Sequence, residues 1–329
     1  MRTRQLGNLP MQFSVIGLGT WAIGGGDWRM GWGPQDETDS IAAIHRAVDL
    51  GINWIDTAAV YGDGRSEEVV GRAVGQLPAD QRPLIATKCG RKVQSDGSIA
   101  GVIKPDSIRQ ECHDSLRRLG VEVLDLYQMH WPDPDQDIEE GWTEMVRLKE
   151  EGKAKQIGVS NFNIRQLQRI RAIHPPVSLQ PPYSMINRDI EDGLLDDCRQ
   201  HSTGIVTYSP LGKGLLSGVM TRQRVAALDQ RDHRTRDPKF AGQQLDVHLA
   251  LVDRLRPIAQ RNGRPLAQLA IAWVLRRHEV TSAIVGARRP DQIEQTAGAG
   301  DWELSDAEVR EIDVLLNEHR AAMQALGDV

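Results

Sequence analysis

Short apolar or β-branched runs recur along the chain and alternate with longer segments of helical periodicity. Eight such runs read as strands: residues 15–18, 52–55, 84–87, 124–128, 154–159, 177–180, 204–208 and 281–285. Their apolar positions are continuous rather than alternating, as expected of parallel strands covered on both faces. Between them, Asp36-Glu-Thr-Asp39 opens a helix that sets Ile41, Ile44 and Val48 on one face, and Gly51 supplies a left-handed stop. Pro105-Asp106 opens another, with Ile108, Cys112 and Leu116 inward and Gly120 closing it. Trp142, Met145 and Leu148 form a further stripe ended by Gly152. A later helix begins near Pro265 and buries Leu269, Ala272 and Trp273.

Eight strand–helix units predict an α/β fold of the (β/α)8 TIM-barrel type, which takes about 250 residues plus insertions. We read residues 1–329 as one such domain, with long loops and extra helices at the C-terminal face. The surplus falls in a Gly/Trp-rich stretch (24–33), a polar segment after the seventh strand (216–244), an added helix near 246–262 and a helical tail from Ser305. A doubly wound sheet is the competing architecture. Against it, Gly17-Leu-Gly19 does not continue as the spaced glycine fingerprint that runs straight into a helix.

In a barrel, functional side chains stand at the C-terminal strand ends. Read in order, those ends give Asp56 followed by Tyr61, then Lys88, His130, Ser160-Asn161, Gln180 and Tyr208-Ser209. Four of these form a set with a chemical logic. A phenol titrates near 10, and a buried cationic Lys88 would lower the Tyr61 value toward the working range. Asp56 would keep the lysine charged and in place. His130 would donate a hydrogen bond to a carbonyl oxygen or share the acid role. Such a set suits protonation of an oxygen as hydride adds to a carbonyl.

Long ordered segments carry a resemblance. Residues 51–71, GINWIDTAAVYGDGRSEEVVG, resemble the signature segment of the aldo-keto reductases. The likeness continues in Ala86-Thr-Lys88, in LDLYQMHWP at 124–132, in Gly158-Val-Ser-Asn161-Phe, in Tyr208-Ser-Pro-Leu-Gly-Lys-Gly214 and in Ile284-Val-Gly-Ala-Arg-Arg-Pro290. It spans nearly the whole chain, with bacterial members close to the potassium-channel β-subunit-like branch. The resemblance implies that Tyr61 is the general acid, Lys88 and His130 its tuning partners, and Asp56 the partner of the lysine. It implies that Ser160, Asn161 and Gln180 hold a nicotinamide carboxamide and that Tyr208 stacks on the ring. Ser209, Pro210, Leu211, Gly212, Lys213 and Gly214 match the segment around a pyrophosphate. Gly19, Thr20 and Trp21 match a wall shared by cofactor and substrate, and Gly286, Arg288, Arg289 and Gln292 match the adenosine end. The chain departs from the pattern there: Val285 stands for a common Pro, and Gln295 and Thr296 for a common Glu and Asn. Arg288 and Arg289 still offer a fork for a 2′-phosphate, so the expected cofactor is NADPH (NADP) rather than NADH.

Composition narrows the remaining readings. Lys plus Arg is 40 and Asp plus Glu 45, a net charge of −5 that gives no global attraction to nucleic acid or an anionic membrane. Cys89, Cys112 and Cys198 are too few and too scattered for a disulfide framework or a zinc cluster; Cys112 reads as core and Cys89 as a packed thiol, with oxidation sensitivity as its alternative. No apolar run approaches the ~20 residues of a spanning helix, and the opening MRTRQLGNLP is unlike a signal peptide. The expected setting is cytoplasmic, and the expected partner a small-molecule carbonyl substrate, with no nucleic acid or membrane partner; oligomeric state is left open. The other histidines lack metal-ligand spacing, and a metal-dependent lyase finds no ligand cluster at the strand ends. The basic run Arg231, His233, Arg234, Arg236, Lys239 reads as a solvated face, with a lid over an anionic cofactor as its alternative. Trp outnumbers Phe, 8 to 3. Trp54, Trp142, Trp273 and Trp302 read as packing, whereas Trp21, Trp28, Trp32 and Trp131 read as an aromatic substrate wall. A second functional class, an NADP(H)-binding regulatory or redox-sensing protein with little turnover, is disfavoured because all four catalytic positions are intact.

Overall fold

In the computed structural model, which describes residues 1–327, each apolar run becomes a barrel strand. The strands are β1 Ile16–Gly19, β2 Trp54–Asp56, β3 Leu84–Cys89, β4 Leu124–Met129, β5 Ala154–Ser160, β6 Ser178–Gln180, β7 Gly204–Thr207 and β8 Val280–Gly286. All pair in parallel with the next, and β8 pairs with β1 to close the ring. The register sets Gly19 beside both Asp56 and Gly286, Lys88 beside Gln128, and Gln180 beside Ser160. Polar residues from strands far apart in sequence therefore end at one mouth.

The outer layer consists of α1 Glu37–Asp49, α2 Arg65–Gly75, α3 Pro105–Leu119, α4 Ile138–Glu150, α5 Ile164–Arg171 and α6 Leu194–Gln200. It continues with α7 Arg222–Ala226, α8 Gly242–Arg261, α9 Leu266–Leu275, α10 Pro290–Ala297 and α11 Asp306–Ala325. Each apolar stripe lies against the sheet, where burial of apolar surface contributes about 25 cal/mol per Å2. The face of α1 is one exception to expectation. Its buried line is Ser40, Ala43, Ile44 and Ala47, with Ile41 and Val48 only half-buried. Small side chains let α1 sit close between α2 and α10, and the larger ones flank that contact. The tail begins as expected at Ser305, whose side chain and that of Glu308 form a reciprocal cap on α11.

Two hairpins were not anticipated. Thr3–Gln5 pairs with Gln12–Ser14 and closes the N-terminal end of the barrel. Its Leu6 and Phe13 join Trp54, Ala86, Leu126, Val206 and Ile284 in an interior core. The Trp54 ring occupies the space left by Gly17, where a Cβ would lie 2.1 Å from the indole. Its Nε1 donates to the Ser14 carbonyl and Ser282 Oγ. Trp142, Trp273 and Trp302 are likewise buried, as are all three cysteines. The second hairpin, Arg91–Val93 with Ile99–Gly101, rises from the β3–α3 connection at the opposite end. Among the described residues no helix is long and apolar enough to cross a membrane.

Candidate active site

The strand register brings Asp56 and Lys88 together beneath the mouth, where both are almost fully buried. Lys88 Nζ donates to Asp56 Oδ2 at 2.7 Å and to the Thr57 carbonyl at 2.8 Å. Gln180 Nε2 donates to the other carboxylate oxygen at 2.8 Å, so both oxygens of Asp56 are engaged. Tyr61 follows on the turn after β2. Lys88 Nζ lies 5.1 Å from its ring centroid, and the His130 ring meets it edge-on at 5.7 Å. The turn is locked by backbone contact: Gly62 adopts φ 64°, and a Cβ there would lie 2.2 Å from the Gly24 carbonyl oxygen. No larger residue fits without moving Tyr61. From β4 to β7 runs a hydrogen-bonded arc. Asn161 Nδ2 donates to the His130 carbonyl and Ser160 Oγ, each at 3.0 Å. Ser160 Oγ donates to the Gln180 carbonyl, and the Tyr208 hydroxyl donates to Asn161 Oδ1, each at 2.8 Å.

Above this floor opens a cavity of about 790 Å3. Its lining brings together Gly19, Trp21, Trp28, Trp32, Asp56, Tyr61, His130, Trp131, Ser160, Asn161, Gln180, Tyr208, Ser209, Pro210, Leu211, Lys213, Gly214, Gly286, Arg288, Arg289 and Gln292. Three expected residues stand behind the wall. Thr20 is buried and donates its hydroxyl to the Asp56 carbonyl at 2.9 Å. Lys88 lies under Asp56, and Gly212 lies beneath Ile186. The sequence reading missed Arg91, Ser98 and Ile99 of the hairpin, Arg29 and Met30 of the first loop and Arg224 beyond β7 as lining residues; Arg234, in the run read with a lid as its alternative, and Gln295 and Thr296, read at the adenosine end, also line the cavity. Two short runs separated by Ser95-Asp96-Gly97 carried a hairpin signal that would have found the first group.

The roof is built by loops that bind one another. Trp32 and Asp232 form a β-bridge, and the His233 amide donates to the Gly31 carbonyl at 2.8 Å. The His233 ring stacks on Trp21 at 4.7 Å and meets Trp32 edge-on at 4.8 Å. Arg234 lies 4.6 Å over Trp32 and pairs with Asp232, while Lys213 pairs with Asp237 at 2.8 Å. The basic run therefore divides: Arg231, Arg236 and Lys239 are exposed, as a solvated face would have them, whereas His233 and Arg234 are not. Its central members pack as a strap across the first loop, because aromatic faces and two aspartates give them partners that water does not displace. The Arg288–Arg289 fork is also absent as drawn from sequence. Arg288 donates to the Trp32 and Pro34 carbonyls and to Gln35, tying the first loop to β8; half-exposed Arg289 pairs with Asp291 at 3.0 Å.

Comparison with known proteins settles the family. The sequence model of the Aldo/keto reductase family matches residues 15–317. The chain belongs to the aldo/keto reductase family. It is 36% identical to aldo-keto reductase YhdN of Bacillus subtilis, covering 96% of this chain and 94% of the relative. It is 33% identical to the NADH-specific methylglyoxal reductase of Escherichia coli, covering 94% and 96%. Among solved structures, the glycerol dehydrogenase AKR11B4 from Gluconobacter oxydans superposes with a TM-score of 0.87 at 37% identity, covering 96% and 95%. Family membership makes the chain an oxidoreductase of carbonyl chemistry, and the family uses NAD(P)H.

The electrostatics of this aldo/keto reductase follow from burial. Burial pushes the Asp56 carboxyl up and the Lys88 ammonium down, and each opposes the shift of the other. His130 is held well below its ordinary value by burial, Lys88 and Arg91, so its imidazole is neutral. Tyr61 runs against expectation: burial and then the Asp56 charge raise its phenol well above 10. Lys88, paired with Asp56, does not outweigh these two. The fit of a dinucleotide rests on the backbone. Ser209, Gly212, Lys213 and Gly214 all take positive φ, which turns successive amides into a concave loop suited to an anion. A Cβ at cavity-lining Gly286 would meet no described atom closer than the Gly19 carbonyl oxygen at 3.9 Å, leaving room for a ligand to press on the strand end.

Proposed function

We propose that this aldo/keto reductase reduces an aldehyde or ketone reversibly with NADPH, and that Tyr61 is the general acid. The buried group of Tyr61, Lys88, Asp56 and His130 at the cavity floor is the observation that carries this reading. When bound, the dinucleotide supplies the hydride accepted by the carbonyl carbon. Tyr61, kept protonated by burial, gives its proton to the carbonyl oxygen as negative charge develops there. Neutral His130 donates an N–H to the same oxygen. The Lys88 ammonium, 5.1 Å from the Tyr61 ring, makes the resulting phenolate less costly, and Asp56 and Gln180 hold that ammonium in place.

Ser160, Asn161, Gln180 and Tyr208, with Gly19 and Trp21, would hold the nicotinamide, and Thr20 would support them through Asp56. The loop from Ser209 to Gly214 would take the pyrophosphate, and Gly286, Arg288, Arg289 and Gln292 the adenosine end. Two guanidiniums on the lining support NADPH over NADH. Arg289 is half-exposed, and Arg224 pairs with no acid among the described residues. Trp21, Trp28, Trp32 and Trp131 would wall the substrate.

Tyr61→Phe tests the reading. NADPH oxidation in the presence of aldehydes should fall by about 10^2–10^4-fold, the size of general-acid catalysis, while NADPH still binds and binds more tightly than NADH. Retained turnover overturns the role of Tyr61, and equal affinity for the two cofactors overturns the cofactor assignment.

A further inference from the structure

The hairpin after β3 places a cation where reduction itself needs none. Arg91 lines the cavity with Ser98 and Ile99. Its guanidinium lies 5.5 Å over the Trp131 ring and donates Nη1 to Asp133 Oδ2 at 2.7 Å. The side chain is 22% exposed, and its remaining N–H groups have no acceptor among the described residues. A guanidinium is a planar fork of five donors. One Nη here faces Asp133, and the Nε–Nη2 edge is left without a partner. Arg91 is also near enough to His130 for its charge to disfavour the imidazolium. The cavity lining also carries Trp28, Met30, Ile99 and Trp131 as apolar surface, with Arg29 of the first loop as a second cation. Flat apolar surfaces ending at a half-used guanidinium describe a ligand with an apolar body and a carboxylate end, because carboxylate matches the fork in two hydrogen bonds.

We propose that Arg91 is a specificity-determining residue that selects carbonyl substrates carrying a carboxylate. The inference rests on the reductase reading of the same site. Hydride reaches the carbonyl carbon and a proton its oxygen. The carboxylate on Arg91 makes and breaks no covalent bond; it sets which compound binds with its carbonyl on the floor.

A matched pair of substrates tests this: 4-carboxybenzaldehyde and its neutral methyl ester, methyl 4-formylbenzoate, each followed by NADPH oxidation. The wild-type enzyme should favour the acid in kcat/KM, and the preference should shrink at high salt. In Arg91→Met the acid-to-ester ratio should fall at least tenfold, with the loss concentrated in KM for the acid. Arg91→Lys keeps the charge without the fork and should fall at least threefold. A ratio in Arg91→Met within twofold of wild type overturns the proposal while leaving the reductase reading intact. If Arg91→Met fails to fold, judged by lost NADPH binding, a ratio in Arg91→Lys within twofold of wild type overturns it instead. Absence of NADPH oxidation by wild type on both compounds and on simple aldehydes overturns the reductase reading and this inference with it.

Discussion

The floor and the roof of the cavity are held by different means. Floor residues sit on strand ends, where barrel register alone brings Asp56 beside Gly19 and Gln180 beside Ser160. Their charges are buried and engaged, as in the Lys88–Asp56–Gln180 chain. Roof residues sit on loops whose positions depend on side chains of other loops. His233 wedges between two tryptophans, Arg288 gathers carbonyls of the first loop, and Lys213 reaches Asp237. Rigid elements thus position the groups suited to chemistry, while loops shape what enters. Stability is expected to be highest in the strands and lowest in the roof.

The largest test of that contrast removes a floor charge. Asp56→Asn leaves the Lys88 ammonium buried without its counter-charge. Breaking a buried pair this way costs about 3–5 kcal/mol. Denaturant unfolding should show a loss of that size, and the double variant Asp56→Leu/Lys88→Met should recover much of it. A loss below about 1 kcal/mol would mean that the floor is no more rigidly committed than the roof.

Much of the floor was legible in the sequence because barrel strands announce themselves as continuous apolar runs and because polar residues at their ends have a fixed destination. All eight strands were located, and Asp56, Lys88, Gln180 and Tyr61 came together as the order of strands required. The direction of the Tyr61 shift was not legible. It depends on how completely Asp56 cancels Lys88, a matter of distances. The roof was harder for a physical reason. The fate of His233 and Arg234 is set by Trp21, Trp32 and Asp232, two of them about 200 residues away in sequence, and no local periodicity encodes that. The inward turn of Arg288 depends in the same way on carbonyls at Trp32 and Pro34.

A roof residue should give a smaller and more local effect. His233→Ala removes a buried ring stacked 4.7 Å from Trp21 and opens the seam between the strap and the first loop. Lost packing of this kind costs about 2 kcal/mol. Because the strap unfolds locally, the loss should appear in the strap rather than in global unfolding. Limited trypsin digestion should cut at Arg222, Arg224 or Arg231 at least tenfold faster, with the global midpoint little changed. Unchanged cleavage would show that the two tryptophans do not depend on His233 for their cover.

A pH-dependent effect lies where floor meets roof. Glu111 on α3 is buried, and its carboxylate accepts the Gly90 amide and the Ser107 hydroxyl, each at 3.0 Å, at the root of the hairpin that carries Arg91. Burial raises its carboxyl from 4.5 to about 7. The folded protein therefore holds this proton up to about pH 7, whereas the unfolded chain releases it near 4.5. Between those values the unfolded state binds fewer protons, so this group makes stability fall as pH rises. Glu111→Gln keeps an acceptor for Gly90 and a donor for Ser107 without the ionisation. The variant should match wild type near pH 4 and exceed it by about 3 kcal/mol at pH 8. Urea unfolding at the two pH values measures the difference. A variant less stable than wild type at pH 8 would mean that the ionised carboxylate, rather than its neutral form, anchors the hairpin, and the boundary between floor and roof would then lie above Gly90 instead of at it.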